Sequence, residues 1–252
     1  MRIAACGHIP IIEPARPSRD SLNRRLQDAL PLILNLAATL GLALLPTTAA
    51  ADALRVDSKR GEVRVAATIH PDRFQGALTR HFGMPGYHLL AWEKGGAAGN
   101  ALLTTPVGDR ALHAALIAAG ASPGNALGMD TWEARRDSHS RAPEKVIEGT
   151  PIWIGLHWAG RADPVPLAQL LEDPGGKGFE FRFGGHLANI PIWKSGCGIC
   201  LYSCPGAKIG NAAYTVRDYV DETTRFRIRA GRLPPKGASV DLVCRLQAPP
   251  EP

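Results

Sequence analysis

Hydrophobic and polar positions along this chain mostly alternate in short runs, and long helical stripes are few. Val63, Val65, Ala67 and Ile69 share one face of the run 62–70. Residues 54–56 lie across Lys59-Arg60-Gly61 from it, which predicts a β-hairpin. Phe74, Leu78 and Phe82 then recur at helical spacing behind Pro71, a residue suited to a first turn, which predicts a helix over 71–82. The runs 87–94 and 100–105 flank Gly95-Gly96 and predict a second hairpin. Asp109 stands where a helix cap is wanted. Leu112, Leu116 and Ala119 follow on one face, and Gly120 supplies the stop.

The second half keeps the same rhythm. Ile152, Ile154, Leu156 and Trp158 alternate in a strand, and a short helix over 166–173 ends at Pro174-Gly175-Gly176. Phe179, Phe181 and Phe183 share one strand face. Phe226 and Ile228 alternate with arginines, and Val240, Leu242, Cys244 and Leu246 form a last inward row. Strands outnumber helices and hairpins recur. The expected class is α+β: a single domain over 54–246 with a largely antiparallel sheet, hairpins and two or three short helices, followed by a polar tail at 247–252.

Residues 1–53 interrupt this pattern. Arg16, Arg19, Arg24 and Arg25 precede an apolar run over 29–45, and small residues with two A-x-A patterns end near Ala53. That order is the order of a signal peptide and predicts export to the periplasm or beyond. If the segment stays uncleaved, it is the chain's one membrane contact. The net charge of +6 lacks a basic run, and aromatic residues are 6% of the chain. Nucleic acid is therefore not an expected partner.

The candidate chemistry lies in Gly196-Cys197-Gly198-Ile199-Cys200-Leu201-Tyr202-Ser203-Cys204-Pro205. Bacterial ferredoxin segments read C-x2-C-x2-C-x3-C-P. Cys197, Cys200, Cys204 and Pro205 match all of that except the first cysteine, whose position holds Lys194. Three thiolates so close can ligate an iron–sulfur cluster or, less expected here, zinc; they can also pair as disulfides. A helical turn over 201–204 would bring Cys200 and Cys204 to one face. Cys244 and His186 are the candidate fourth ligands. Cys244 is also the candidate disulfide partner of Cys204, and its apolar strand position suits a small core residue.

The other features read as structure. His70, His81, His88, His113 and His139 share no metal-motif spacing, and His157 is expected half-exposed on its strand. Asp137-Ser138-His139 cannot make a triad by adjacency. Gly175-Gly176-Lys177-Gly178 lacks the phosphate-loop pattern and reads as a turn. Trp153, Trp158 and Trp193 flank the cysteines in sequence and suit core packing. No catalytic motif stands out.

Four stretches together resemble the YdjY-type domain of exported bacterial proteins: residues 54–70, residues 87–105, Leu116-Ile-Ala-Ala-Gly120-Ala-Ser-Pro-Gly124, and the cysteine segment continued through Gly206-Ala-Lys-Ile-Gly-Asn211. Some members of that family carry a ferredoxin-type label because of this cysteine segment. The resemblance thus implies an iron–sulfur role, with Cys197, Cys200 and Cys204 as ligands and a redox or envelope protein as partner. The rival expectation is a non-enzymatic binding or accessory module held by a disulfide.

Overall fold

A computed structural model describes residues 52–76, 87–137 and 139–246. The signal-peptide segment, the second half of the helix expected over 71–82, Ser138 and the polar tail lie outside the described residues. Among the described residues no helix is long and apolar enough to cross a membrane.

The alternating runs become one ten-stranded sheet. Strands β1 (Leu54–Asp57) and β2 (Glu62–Ile69) form the expected antiparallel hairpin, with Val56 opposite Val63. Strand β3 (His88–Trp92) precedes β4 (Ala101–Thr105), and β5 (Trp153–His157) pairs with the two-residue β6 (Val165–Pro166). The two-residue β7 (Leu171–Glu172) pairs with β11 (Arg227–Ile228) outside the main sheet. Strands β8 (Phe181–Phe183), β9 (Cys197–Cys200), β10 (Ile209–Asn211) and β12 (Ser239–Arg245) complete the set. The order across the sheet is β6-β5-β12-β2-β4-β3-β9-β10-β8, with β1 also on β2. Among the described residues only the β3–β4 and β9–β10 pairs are parallel. The expected α+β class with a mostly antiparallel sheet holds.

The helices are short: α1 (Pro71–Gly76), α2 (Asp109–Ala118), α3 (Met129–Glu133), α4 (Leu167–Leu170), α5 (Ile190–Trp193) and α6 (Val216–Val220). In α2, Leu112, Ala115 and Leu116 are buried, and Gly120 ends the helix at φ +101°. Gly108 holds the cap position. Asp109 sits in the first turn, where a carboxylate favours the positive end of the helix dipole. Strands β4 and β9 are buried along their whole length, so the centre of the sheet is covered on both faces. The Gly-rich piece 175–178 is the expected turn: Asp173 accepts the Gly178 amide at 2.7 Å and the Tyr214 hydroxyl at 2.5 Å.

Two expectations are overturned. The pair around Gly95-Gly96 is not a hairpin, because β3 and β4 run parallel, His88 beside Ala101 and Trp92 beside Thr105. The connecting loop spends its amides elsewhere: Gly96 and Ala97 donate to the carbonyls of Lys194 and Ser195 at 3.1 and 2.9 Å. Glycine is required at this crossing, since a Cβ on Gly95 would lie 2.3 Å from the Ser195 carbonyl oxygen. The helical turn expected over 201–204 is also absent. Cys197–Cys200 is extended instead, captured by ladder bonds to β3 on one side and β10 on the other.

Candidate metal centre

The site begins with β9. The Gly95–Ser195 crossing anchors the turn before it, and Gly196 enters the strand at φ +63°, a left-handed conformation that favours glycine. Gly198 leaves room for α2: a Cβ there would meet Leu112 at 3.0 Å. Antiparallel pairing with β3 then sets Cys200 directly opposite His88, and an irregularity in that ladder separates it from the Ala91–Cys197 pair. His88 Nδ1 lies 3.2 Å from Cys197 Sγ. One ligand atom each from His88, Cys197 and Cys200 falls within 4.8 Å of the others, and all three residues are buried. Cys204 lies nearby, and its sulfur accepts the Gly206 amide at 3.4 Å.

These groups bound a cavity of about 370 Å³. Tyr87, Trp132, Trp193, Tyr202 and Tyr219 form much of its wall. The rings are in mutual contact, Trp132 edge-on to Trp193 at 5.4 Å and Tyr87 tilted on Tyr219 at 5.0 Å. Trp193 lies over Gly206, where a Cβ would meet the ring at 3.2 Å. Its Nε1–H is buried without a hydrogen-bond partner among the described residues. A buried donor in that state carries a desolvation cost that an added acceptor would relieve.

Burial sets the protonation states. It pulls His88 down to about 4, so the imidazole is neutral at pH 7 and available as a ligand. Desolvation pushes the Cys200 thiol up, and the hydrogen bond with Cys200 together with desolvation pushes Cys204 up. Both are therefore neutral thiols in the metal-free protein. A soft cation would have to displace their protons, so its affinity must rise with pH.

Of the three cysteines singled out in the sequence, Cys197 and Cys200 meet beside His88, and Cys204 lines the same cavity. The two candidate fourth ligands do not join them. Cys244 lies in β12, with β2, β4 and β3 between it and β9; four inter-strand spacings amount to ~19 Å. That span also puts a Cys204–Cys244 disulfide out of reach, since bridged Cα atoms lie within about 7 Å. All four described cysteines are free thiols. Cys244 is a fully buried core residue, and burial raises its thiol to about 12. His186 has both ring nitrogens engaged: Nε2 accepts the Leu127 amide at 3.2 Å, which leaves the proton on Nδ1, 3.2 Å from the Ala207 carbonyl. It braces the segment after the cysteines and is not free to ligate.

His88 is the member that local spacing missed. Its one legible signal is a polar residue heading an otherwise apolar run, Leu89-Leu90-Ala91-Trp92, where all but the last are buried. Lys194 ends α5 in a left-handed conformation with an exposed side chain. Trp193 reaches the cavity, whereas Trp153 and Trp158 pack under Arg245 and Arg161 elsewhere.

The family model for the YdjY domain matches residues 54–245. The chain belongs to the YdjY domain family. The uncharacterized protein YdjY of Escherichia coli (strain K12) is 30% identical over 162 residues, which is 64% of each chain. The present chain thus spans under two thirds of that relative's length. No solved structure matches.

Proposed function

We propose that this YdjY domain is an exported electron carrier whose Cys197, Cys200, Cys204 and His88 side chains hold an iron–sulfur cluster. The observation that carries the reading is room beside the sulfurs. A single tetrahedral ion needs no cavity beyond its four ligand atoms. Here three cysteines and a histidine line about 370 Å³ of largely apolar space. The donor set fits: thiolates are the usual cluster ligands, and imidazole replaces cysteine on iron in some clusters. The unpartnered Trp193 Nε1–H fits as well, because hydrogen bonds to cluster sulfur raise its reduction potential.

The cluster would supply a reversible one-electron change, taking one electron from a reduced protein partner and passing one to an oxidised partner, with no bond made or broken. The chain's own residues do the rest. The aromatic wall excludes water, and the fixed strand pairing of β3 and β9 holds the ligands in register.

Protein purified without oxygen tests this. The expected result is stoichiometric iron and sulfide, a broad visible absorption bleached by reductant, and loss of both in Cys200→Ala. The Cys3His donor set also matches a structural zinc site. Stoichiometric zinc without sulfide would replace the electron carrier with that alternative.

A further inference from the structure

Lys208 stands four residues beyond Cys204 and is completely buried. A lysine in that state is rare unless an anion accompanies it. Its Nζ donates to the His186 carbonyl at 3.1 Å, and no carboxylate lies within 4.0 Å of it among the described residues. Its backbone is tied to the centre, because the Lys208 amide donates to the carbonyl of Gly198 between the cysteines of β9 at 3.1 Å.

The groups whose charge acts on the amine come from several elements. Burial disfavours its charge most. Asp109 at the start of α2 favours the charge, as do Cys197 and Cys204, and neighbouring Arg110 opposes it. His113 of α2 and His186 are both held neutral, with Lys208 contributing to each. Three thiolates around a divalent ion leave one net negative charge in an apolar pocket. Such a charge needs a fixed counterpart.

We propose that Lys208 is the built-in countercharge of the loaded sulfur centre, a positioning residue that makes a net-negative thiolate site tolerable inside the fold. This inference rests on the metal-centre reading above. It does not require the metal to be iron.

The test compares the full chain with Lys208→Met and Lys208→Arg, using cadmium(II) alone as a thiolate probe. Wild type should bind cadmium with sulfur-to-metal absorption. Lys208→Met should bind it about tenfold or more weakly, and Lys208→Arg should recover part of the loss. Metal-free Lys208→Met should melt no lower than wild type, because a buried charge with no carboxylate in salt-bridge contact has been removed. A merely structural lysine behaves otherwise: Lys208→Met would melt lower with cadmium affinity unchanged, and that result overturns the proposal. If Lys208→Met does not fold, the Lys208→Arg affinity decides, and a tenfold loss with charge retained overturns it. Wild type that takes up no cadmium overturns both this proposal and the metal centre. A lysine-dependent cadmium affinity in a chain that takes up no iron sinks the iron–sulfur reading alone.

Discussion

His88 stands directly opposite Cys200 across the β3–β9 ladder, with its Nδ1 3.2 Å from the sulfur of Cys197. One cross-strand pair therefore delivers an imidazole to a cysteine cluster that follows it by more than a hundred residues. In the proposed centre His88 would be the fourth donor, which the cysteine segment lacks.

Replacing that imidazole should open the centre. His88→Ala is expected to lower metal affinity by at least about tenfold, since even indirect partners of metal ligands cost that much. His88→Cys should retain metal with a shifted visible spectrum. Lys194→Cys should not improve occupancy, because residue 194 is exposed at the end of α5. Metal content of the three variants after identical reconstitution checks this, and higher occupancy in Lys194→Cys would refute the assignment of His88.

The cysteines should divide three against one. Alanine at Cys197, Cys200 or Cys204 should abolish the metal signal. Cys244→Ala should leave it intact and lower stability by about 1 kcal/mol, the usual cost of a modest core change. Metal analysis paired with urea unfolding separates the two classes, and a Cys244→Ala protein without metal would contradict the sheet order.

The loop crossing before β9 should be intolerant of side chains. Gly196 has φ +63°, and a Cβ there would lie 2.8 Å from the Gly95 Cα. Gly196→Ala should cost about 1–3 kcal/mol and weaken metal binding with it, as the crossing positions Cys197. The urea midpoint gives the first quantity, and wild-type stability in this variant would show that the crossing is loose.

Acid should weaken the metal-free fold, beginning above the usual carboxylate range. Burial lowers His186 to about 4, below the usual histidine value near 6.5. A depressed folded value means that the unfolded chain binds the proton more readily. The contribution of His186 is therefore complete above pH 6.5 and is lost as pH falls toward 4. Unfolding midpoints at pH 7, 5.5 and 4.5 should decline, and His186→Gln should flatten the decline. An equal slope in both proteins would remove His186 as its cause.

The exported form should begin between Ala50 and Leu54. Intact mass of protein recovered from the cell envelope measures this, and a chain that retains Met1 in the cytoplasm would contradict export.

Much of the sheet was legible because its signal is local. The alternation Val63-Val65-Ala67-Ile69 specifies a half-buried strand wherever it sits, and the turn after β1 follows from Lys59-Arg60-Gly61. The three neighbouring cysteines were legible for the same reason. Their backbone was not: residues 197–200 can turn or extend, and only ladder bonds to β3 and β10 choose the extended form. Gly95-Gly96 misled in the same way, since a glycine that permits a hairpin also permits the close approach of another loop.

Sequence by itself determined the α+β class, the early hairpin, helix α2 and the clustering of three cysteines within eight residues. Those depend on side-chain period and spacing within a few residues. Only the tertiary structure decided the approach of His88 to the cysteines, the separation of Cys244 from them, the engagement of both His186 nitrogens, and the aromatic cavity. Those depend on which strand lies beside which. Strand order sets distances of ~5 Å for neighbours and ~19 Å for strands four apart, whatever their separation along the chain.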